Sequence, residues 1–248
     1  HVSEAESSRF ARELSGSNAV QRLIAGDWPM QWSARFRFVA DDPLKALGQD
    51  GDSAGSEVLA TLRPALKASQ TSVTIISPYF VPGDSGTRFL VHIAKAGSTV
   101  QVLTNSLAAN DVAMVYGGYS QSRPDLLRGG VQLWELKPLA GSGTQQSLFG
   151  SSGASLHTKA LATDSSRVFV GSYNLDPRST SLNCEQGVFV TEPTLARQLD
   201  SLFAQESAAS RAWSVTLVEG KLHWSDGRES FDSSPMASGG QKFQAWIA

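Results

Sequence analysis

An α/β fold, with a mixed, largely parallel central β-sheet flanked by helices on both faces, is what this amino-acid sequence predicts. Two observations carry that expectation. Between residues 57 and 136, apolar strand-like runs alternate with segments of helical period, the pattern of strand–helix–strand units around a parallel sheet. The run at 72–77 is apolar and β-branched rather than alternating, as suits a strand covered on both faces.

In chain order, residues 1–28 are polar and weakly patterned, with short helices expected near 10–14 and 20–24. They are set apart as a remnant linker or helical extension. In 34–40, Phe36 and Phe38 alternate with Arg35 and Arg37, which predicts a half-buried strand. A loop rich in Asp and Gly follows over 41–56. Residues 57–69 place Val58, Leu59, Leu62, Ala65 and Leu66 on one helical face. Pro64 lies inside that helix, where a kink would cost about 3 kcal/mol if unrelieved. A helix over 86–96 turns Phe89, Leu90 and Ile93 inward and stops at Gly97. Strand 99–104, helix 111–128 and strand 131–136 complete the alternation, with Gly129-Gly130 between the last two. A Gly/Ser/Gln-rich loop spans 141–155. Strands are then expected at 156–162 and 167–172, around the turn residues Asp164, Ser165 and Ser166, and again at 187–191. Pro193 opens a helix sharing Leu195, Leu199, Leu202 and Phe203 on one face. A hairpin is expected around Glu219-Gly220, a loop over 225–240 and an amphipathic start at 243–247. The main domain is placed at 29–225 and a tail at 226–248. The six tryptophans are assigned to packing.

Composition narrows the function classes. The 248 residues are 41% hydrophobic and 18% charged, with a net charge of −2 and a pI near 6.1. That balance argues against broad, sequence-independent nucleic-acid binding, which needs a basic face. A lone cysteine, Cys184, excludes an internal disulfide framework. The longest apolar stretch, 73–81, is interrupted by Ser77 and Pro78 and is too short to span a bilayer. No signal-peptide pattern is visible at the start.

The chemistry concentrates in eighteen residues. His157, Lys159, Asp164, Gly171, Ser172 and Asn174 follow the pattern H-x-K-x4-D-x6-G-S-x-N. In a strand, His157 and Lys159 leave the same face, and Asn174 falls near it if the two strands pair. A lysine and a carboxamide suit the non-bridging oxygens of a phosphoryl group, while a histidine serves as nucleophile or moves the proton. The pattern occurs once: His1, His92 and His223 lead into unrelated strings.

This block resembles the HKD motif of the phospholipase D superfamily. The match continues through Asn174-Leu175-Asp176-Pro177-Arg178-Ser179 and Asn183-Cys184-Glu185. Upstream, Ser77-Pro78-Tyr79-Phe80-Val81-Pro82 and Thr104-Asn105-Ser106-Leu107 resemble the bacterial cardiolipin-synthase branch. The resemblance spans roughly 30–225, in the register of that family's C-terminal half. It implies a two-step phosphodiester exchange through a phosphohistidine, with no metal and no cofactor. His157 is implied as nucleophile or general acid, the latter favoured because the first motif of two-motif relatives more often supplies the nucleophile. Lys159 and Asn174 are implied to bind phosphate oxygens, Glu185 to hydrogen-bond His157 and set its tautomer, and Ser172 to support them. Asp164 is the motif aspartate, more structural than catalytic. Tyr79 and Phe80, after a strand end where α/β sites gather, are candidate substrate contacts or core residues. Arg178 either holds an anionic group or pairs with Asp176. Asn105 is a weaker substrate-binding candidate, as is Asp111.

The implied substrate is a phospholipid of phosphatidylglycerol type. The implied setting is cytoplasmic, peripheral at the inner membrane surface of a bacterium. Since the chemistry needs two such motifs, the second half-site is expected from a missing N-terminal half or from a homodimer partner. The alternatives are a homodimeric single-motif phosphodiesterase or nuclease, and a non-catalytic phosphate- or lipid-binding module; nucleic acid is an unfavoured partner.

Overall fold

The computed structural model describes residues 18–27, 32–47, 55–110, 112–138 and 156–247. The chain divides into two units, 1–34 and 35–248. In the first, helix α1 (Asn18–Ala25) occupies the segment where a helix was expected near 20–24; the other, near 10–14, lies outside the described residues. The second unit takes in residues 226–247 as well, which the sequence had set apart as a tail.

Among the described residues of the second unit, ten strands form one sheet. They are β1 (Phe36–Ala40), β2 (Ser72–Ile76), β3 (Thr99–Asn105), β4 (Gln132–Leu136), β5 (Ala160–Thr163), β6 (Arg167–Gly171), β7 (Gln186–Thr191), β8 (Ala212–Val218), β9 (Lys221–Ser225) and β10 (Ser230–Phe231). Their order is β1-β7-β6-β5-β2-β3-β4-β8-β9-β10. The sheet is mixed, as expected, but its parallel part is confined to β2-β3-β4. Every other ladder is antiparallel. Connection length explains the difference. Helical crossovers join the three parallel strands, whereas β5 returns into β6, and β8 into β9, through turns that can only reverse the chain. Asp164 and Ser165 have φ of 53° and 45°, and Glu219 and Gly220 of 51° and 79°, the left-handed geometry of tight hairpins.

The helices are α2 (Glu57–Lys67), α3 (Gly83–Lys95), α4 (Ala113–Arg128), α5 (Pro177–Ser181), α6 (Pro193–Glu206) and α7 (Gly239–Trp246). Ser56 caps α2 by accepting from the Leu59 N–H at 3.1 Å, and the helix runs on past the exposed Pro64. Val58, Leu62 and Leu66 of α2, Leu90 and Ile93 of α3 and Leu126 of α4 cover one sheet face, against Val73, Ile75, Val102, Leu161 and Phe169. Ala196, Leu199 and Phe203 of α6 cover the other, against Ile76, Leu103, Ala160, Ala162 and Val168. Leu202, expected inward on α6, is exposed, because the buried stripe follows Ala196, Leu199 and Phe203 and passes it by.

Where a loop was expected after 225, β10 pairs with β9 and α7 packs on α4. A reciprocal capping box between Ser238 and Gln241 starts α7. Beneath this extension Glu135 is fully buried. It accepts from Arg123 at 3.0 Å, Tyr116 at 3.0 Å and Trp224 Nε1 at 2.9 Å, so the buried charge is paired and bonded. Burial, reinforced by the Glu135 charge, pushes the Tyr116 phenol far above its ordinary value. Trp134, Trp213 and Trp224 pack as expected. Trp32 and Trp246 do not: they are 89% and 81% exposed. Trp28 lies outside the described residues.

Candidate active site

The strand expected from residue 156 begins at Ala160, so His157, Thr158 and Lys159 form its extended approach. Pairing continues one step further, with the Gly171 N–H donating to the Lys159 carbonyl at 3.2 Å. His157 is exposed, and among the described residues its imidazole has no hydrogen bond. Lys159 is half-buried, and its ammonium donates to the His157 carbonyl at 3.0 Å, keeping the cation against the residue that carries the imidazole.

Antiparallel pairing of β5 with β6, and of β6 with β7, gathers the rest at the same end of the sheet. Ser172 and Asn174 follow β6 and Glu185 precedes β7. This end also carries the C-termini of the parallel strands, where ligands of open α/β sheets bind. Asn105, at the end of β3, is buried and donates to the Leu156 carbonyl at 3.4 Å. It touches the backbone just before His157.

Glu185 was expected to hydrogen-bond His157, and no such bond occurs among the described residues. Its carboxylate instead accepts from Ser172 Oγ at 2.5 Å, Ser179 Oγ at 2.8 Å and Asn183 Nδ2 at 3.2 Å. Ser172 Oγ in turn accepts from the Gln186 N–H at 3.0 Å. Asn174 donates its backbone N–H to Ser179 Oγ at 3.2 Å. Its side-chain oxygen is buried without a hydrogen-bond partner among the described residues. An unmet buried polar atom costs about 1–3 kcal/mol, a cost that a ligand group can relieve.

Behind Glu185 stands a buried ion pair that the sequence did not announce. Lys45 and Asp41 have side chains 1% and 0% exposed, with Nζ 2.5 Å from Oδ2. Lys45 also donates to the Ser179 carbonyl at 2.7 Å. Asp41 accepts from Ser56 Oγ at 3.0 Å, the Val58 N–H at 3.1 Å and the Glu185 N–H at 3.1 Å. Burial alone would raise the Asp41 carboxyl, but the Lys45 ammonium and the Val58 and Glu185 amides outweigh it and hold it below its ordinary value. The pair thus pins Ser179 and Glu185 together.

Glycine at 171 and 187 has a steric cause. The two residues face each other across β6 and β7 with the Phe169 ring laid over them. A Cβ on Gly171 would stand 2.3 Å from the Gln186 carbonyl oxygen and 2.7 Å from that ring; one on Gly187 would stand 2.3 Å from the ring. The motif glycine permits this close approach of backbone to ring.

Other sequence candidates fall elsewhere. Asp164 sits at the far end of β5. Its Oδ1 accepts from the N–H groups of Gln70, Thr71 and Ser72 and from the Thr71 hydroxyl. It ties the hairpin turn to the start of β2 and takes no part in the cluster. Phe80 is 1% exposed, edge-on to Tyr119, which makes it core rather than a lipid contact. Tyr79, beside it, is half-buried. The stretch they belong to is laced to the motif by the Val81 N–H donating to the Leu175 carbonyl at 2.7 Å. Arg178 is exposed and has no ion pair with Asp176 among the described residues. Asp176 caps α5 by accepting from the Ser179 N–H at 2.7 Å. Asp111 lies outside the described residues.

A mixed sheet presenting histidine, lysine and carboxamide at the ends of its central strands is a phospholipase D fold. Two solved structures share it. Nuc from Salmonella typhimurium, a phospholipase D family member, aligns with a TM-score of 0.52 at 16% identity, over 73% of this chain and 99% of its own. NucT from Helicobacter pylori aligns with a TM-score of 0.51 at 17% identity, over 71% and 97%. At such identities the likeness is one of fold.

Sequence comparison narrows the class. The model of the cardiolipin synthase, PLD-like domain matches residues 62–207, and the chain belongs to that family. Cardiolipin synthase C of Escherichia coli K12 is 39% identical over 227 residues, covering 90% of this chain and 47% of that protein. Cardiolipin synthase A of Pseudomonas syringae pv. syringae is 28% identical over 205 residues, covering 79% and 39%. The chain spans about half, or less, of the length of these relatives. Among the described residues, no helix is long and apolar enough to cross a membrane.

Proposed function

We propose that this chain supplies one of two HKD half-sites of a phosphatidyltransferase of cardiolipin-synthase type. The observation that carries the reading is that the pairing of β5 with β6 brings the His157–Lys159 stretch and Asn174, whose buried side-chain oxygen has no partner among the described residues, to the same end of the sheet. The 39% identity to cardiolipin synthase C supports it.

In this reaction a histidine nitrogen of the partner half-site attacks the phosphorus of a phosphatidylglycerol. A P–N bond forms, the P–O bond to the head-group glycerol breaks, and His157 gives its proton to the departing oxygen. In the second step the free hydroxyl of another phosphatidylglycerol attacks the phosphohistidine. His157 takes that hydroxyl's proton and the P–N bond breaks. The balance is two phosphatidylglycerols to one cardiolipin and one glycerol. Lys159 neutralises a non-bridging oxygen and Asn174 hydrogen-bonds another. Exposure leaves the His157 imidazole accessible to a substrate. The Lys45–Asp41–Glu185 brace holds Ser172, Ser179 and Asn174 still.

Incubation of the intact two-motif protein with phosphatidylglycerol should release glycerol and cardiolipin together. His157→Ala should lower the rate roughly 10²–10⁴-fold with an unchanged thermal midpoint. Absence of product from the intact protein would sink the proposal. The partner half-site comes from another part of one polypeptide or from a second copy of this chain. Light scattering separates the two, because a 26.4 kDa monomer that turned over alone would contradict a shared site. The proposed place of action is the bacterial inner membrane surface, approached from the cytoplasm.

A further inference from the structure

On the α2–α3 side of the sheet, an apolar cavity and a basic shelf adjoin. The cavity, about 290 Å³, is lined by Leu59, Leu66, Val81, Phe89 and Leu90 and, from the motif stretch, by Leu175. The shelf is an open concavity of about 780 Å³ whose charged and titratable linings are Arg63 and Lys67 of α2 and Arg88 and His92 of α3. Arg63, Ser85 and Phe89 line both, and the Arg63 guanidinium lies 5.3 Å from the centroid of the Phe89 ring, at the border between them.

Helical spacing builds the shelf. Arg63 and Lys67 are four residues apart on α2, as are Arg88 and His92 on α3, so each pair stacks on one helix face. The apolar stripes of the same helices face the sheet. All four are exposed, and among the described residues none is in an ion pair. Among the described residues no carboxylate lines the shelf. The one that lines the cavity, Asp176, is engaged as the cap of α5. In a chain of net charge −2, these cations gather along one concavity; Asp84, in the first turn of α3, is not among its lining residues.

An apolar recess bordered by unpaired cations is complementary to an amphiphile with a negative head. We propose that α2 and α3 form a binding site for an anionic phospholipid of the bilayer, with an acyl segment in the cavity and the phosphate on Arg63, Lys67 and Arg88. The site borders the motif stretch through Tyr173 and Leu175 but uses none of His157, Lys159, Ser172, Asn174 or Glu185, and it goes beyond the transferase reading: it holds the chain on an anionic bilayer whether or not turnover occurs.

The test is flotation of the 248-residue chain with vesicles of phosphatidylcholine alone or mixed with phosphatidylglycerol. Binding should require phosphatidylglycerol and weaken as salt is raised. Lys67→Glu with Arg88→Glu, both exposed, should bind at least roughly tenfold more weakly, with circular dichroism and thermal midpoint unchanged. Ser85→Trp, which blocks the cavity mouth without altering charge, should weaken binding several-fold. Short-chain phosphatidylglycerol should displace the chain from vesicles where glycerol 3-phosphate at equal concentration does not. His157→Ala should bind like the native chain, so failure of the catalytic reading leaves this one standing. Equal binding to phosphatidylcholine, no effect of the double charge reversal, displacement by glycerol 3-phosphate, or loss of binding in His157→Ala would each overturn the proposal.

Discussion

Replacing Lys45 by methionine removes the cation from the pair behind Glu185 while keeping an unbranched side chain of similar length. At 2.5 Å and an effective dielectric of about 20, the bare attraction is roughly 6–7 kcal/mol. Desolvation of both groups offsets much of it, and breaking a buried pair from one side costs about 3–5 kcal/mol. The lower end is expected here. Asp41 keeps its bonds from Ser56, Val58 and Glu185, so its charge is left unpaired but not bare. The Ser179 carbonyl loses a donor as well. Urea unfolding followed by tryptophan fluorescence should show a loss of about 3 kcal/mol at unchanged slope. Asp41→Asn on its own, and combined with Lys45→Met, completes a double-mutant cycle, in which coupling well above 1 kcal/mol is expected. Turnover of the intact protein should fall as well, under conditions where the variant remains folded, because Ser179 loses the lysine that ties it to Asp41 and, through Asp41, to Glu185. A stability loss below about 1 kcal/mol would refute the reasoning, since the pair would then do no more than a surface ion pair.

Three further outcomes follow from the same geometry. Asp164→Ala should cost about 1–3 kcal/mol by removing the carboxylate that accepts several hydrogen bonds from residues 70–72, with KM and kcat unchanged because the residue lies at the far end of β5; a large fall in kcat would contradict that placement. Gly171→Ala should cost at least about 1–3 kcal/mol, since two of the atoms met by the new methyl, the Gln186 oxygen and the Gly187 Cα, are backbone; a thermal melt within error of the native chain would count against it. Asp41 and Asp164 both have folded-state pKa values below their ordinary one. For Asp164, burial pulls upward but the amides of Thr71, Gln70 and Ser72 prevail. Their contribution should be complete above about pH 3.9, the ordinary carboxyl value, and lost as the pH falls below it through the depressed folded values. A urea midpoint that fails to drop on that acid side would contradict the assignment.

The half-site was legible because its chemistry is local. His157 to Asn174 are eighteen successive residues, and a short turn folds them into a hairpin whose pairing follows from its length. The central strands were legible because β-branched apolar runs have few other uses. Asp41 and Lys45 were not, since the partners they hold, Glu185 for Asp41 and Ser179 for Lys45, are 144 and 134 positions away, and nothing in a Pro-Leu-Lys string shows that the lysine will be dry. Parallel character was overestimated because alternation of strands with helices implies crossovers only where helices intervene; β5, β6 and β7 meet through turns and a short helix. Phe80 reads in sequence as core or contact, with core favoured, and its burial against the Tyr119 ring decides for core. The role expected of Glu185 came from resemblance, whereas Ser172, Ser179 and Asn183 take the bonds in this structure.

The pairing of β1 with β7 joins Phe36 to Val190, 154 positions apart (190 minus 36). Ladders so remote in sequence form late, because the intervening loop must be closed before any contact rewards it. Asp41 follows β1 by one residue, and its backbone N–H donates to the Glu185 carbonyl at 2.7 Å. The last seam of the sheet expected to zip is therefore the one that seats the anchor behind Glu185. Catalytic competence should return in refolding with the slowest kinetic phase, after the motif hairpin has already formed.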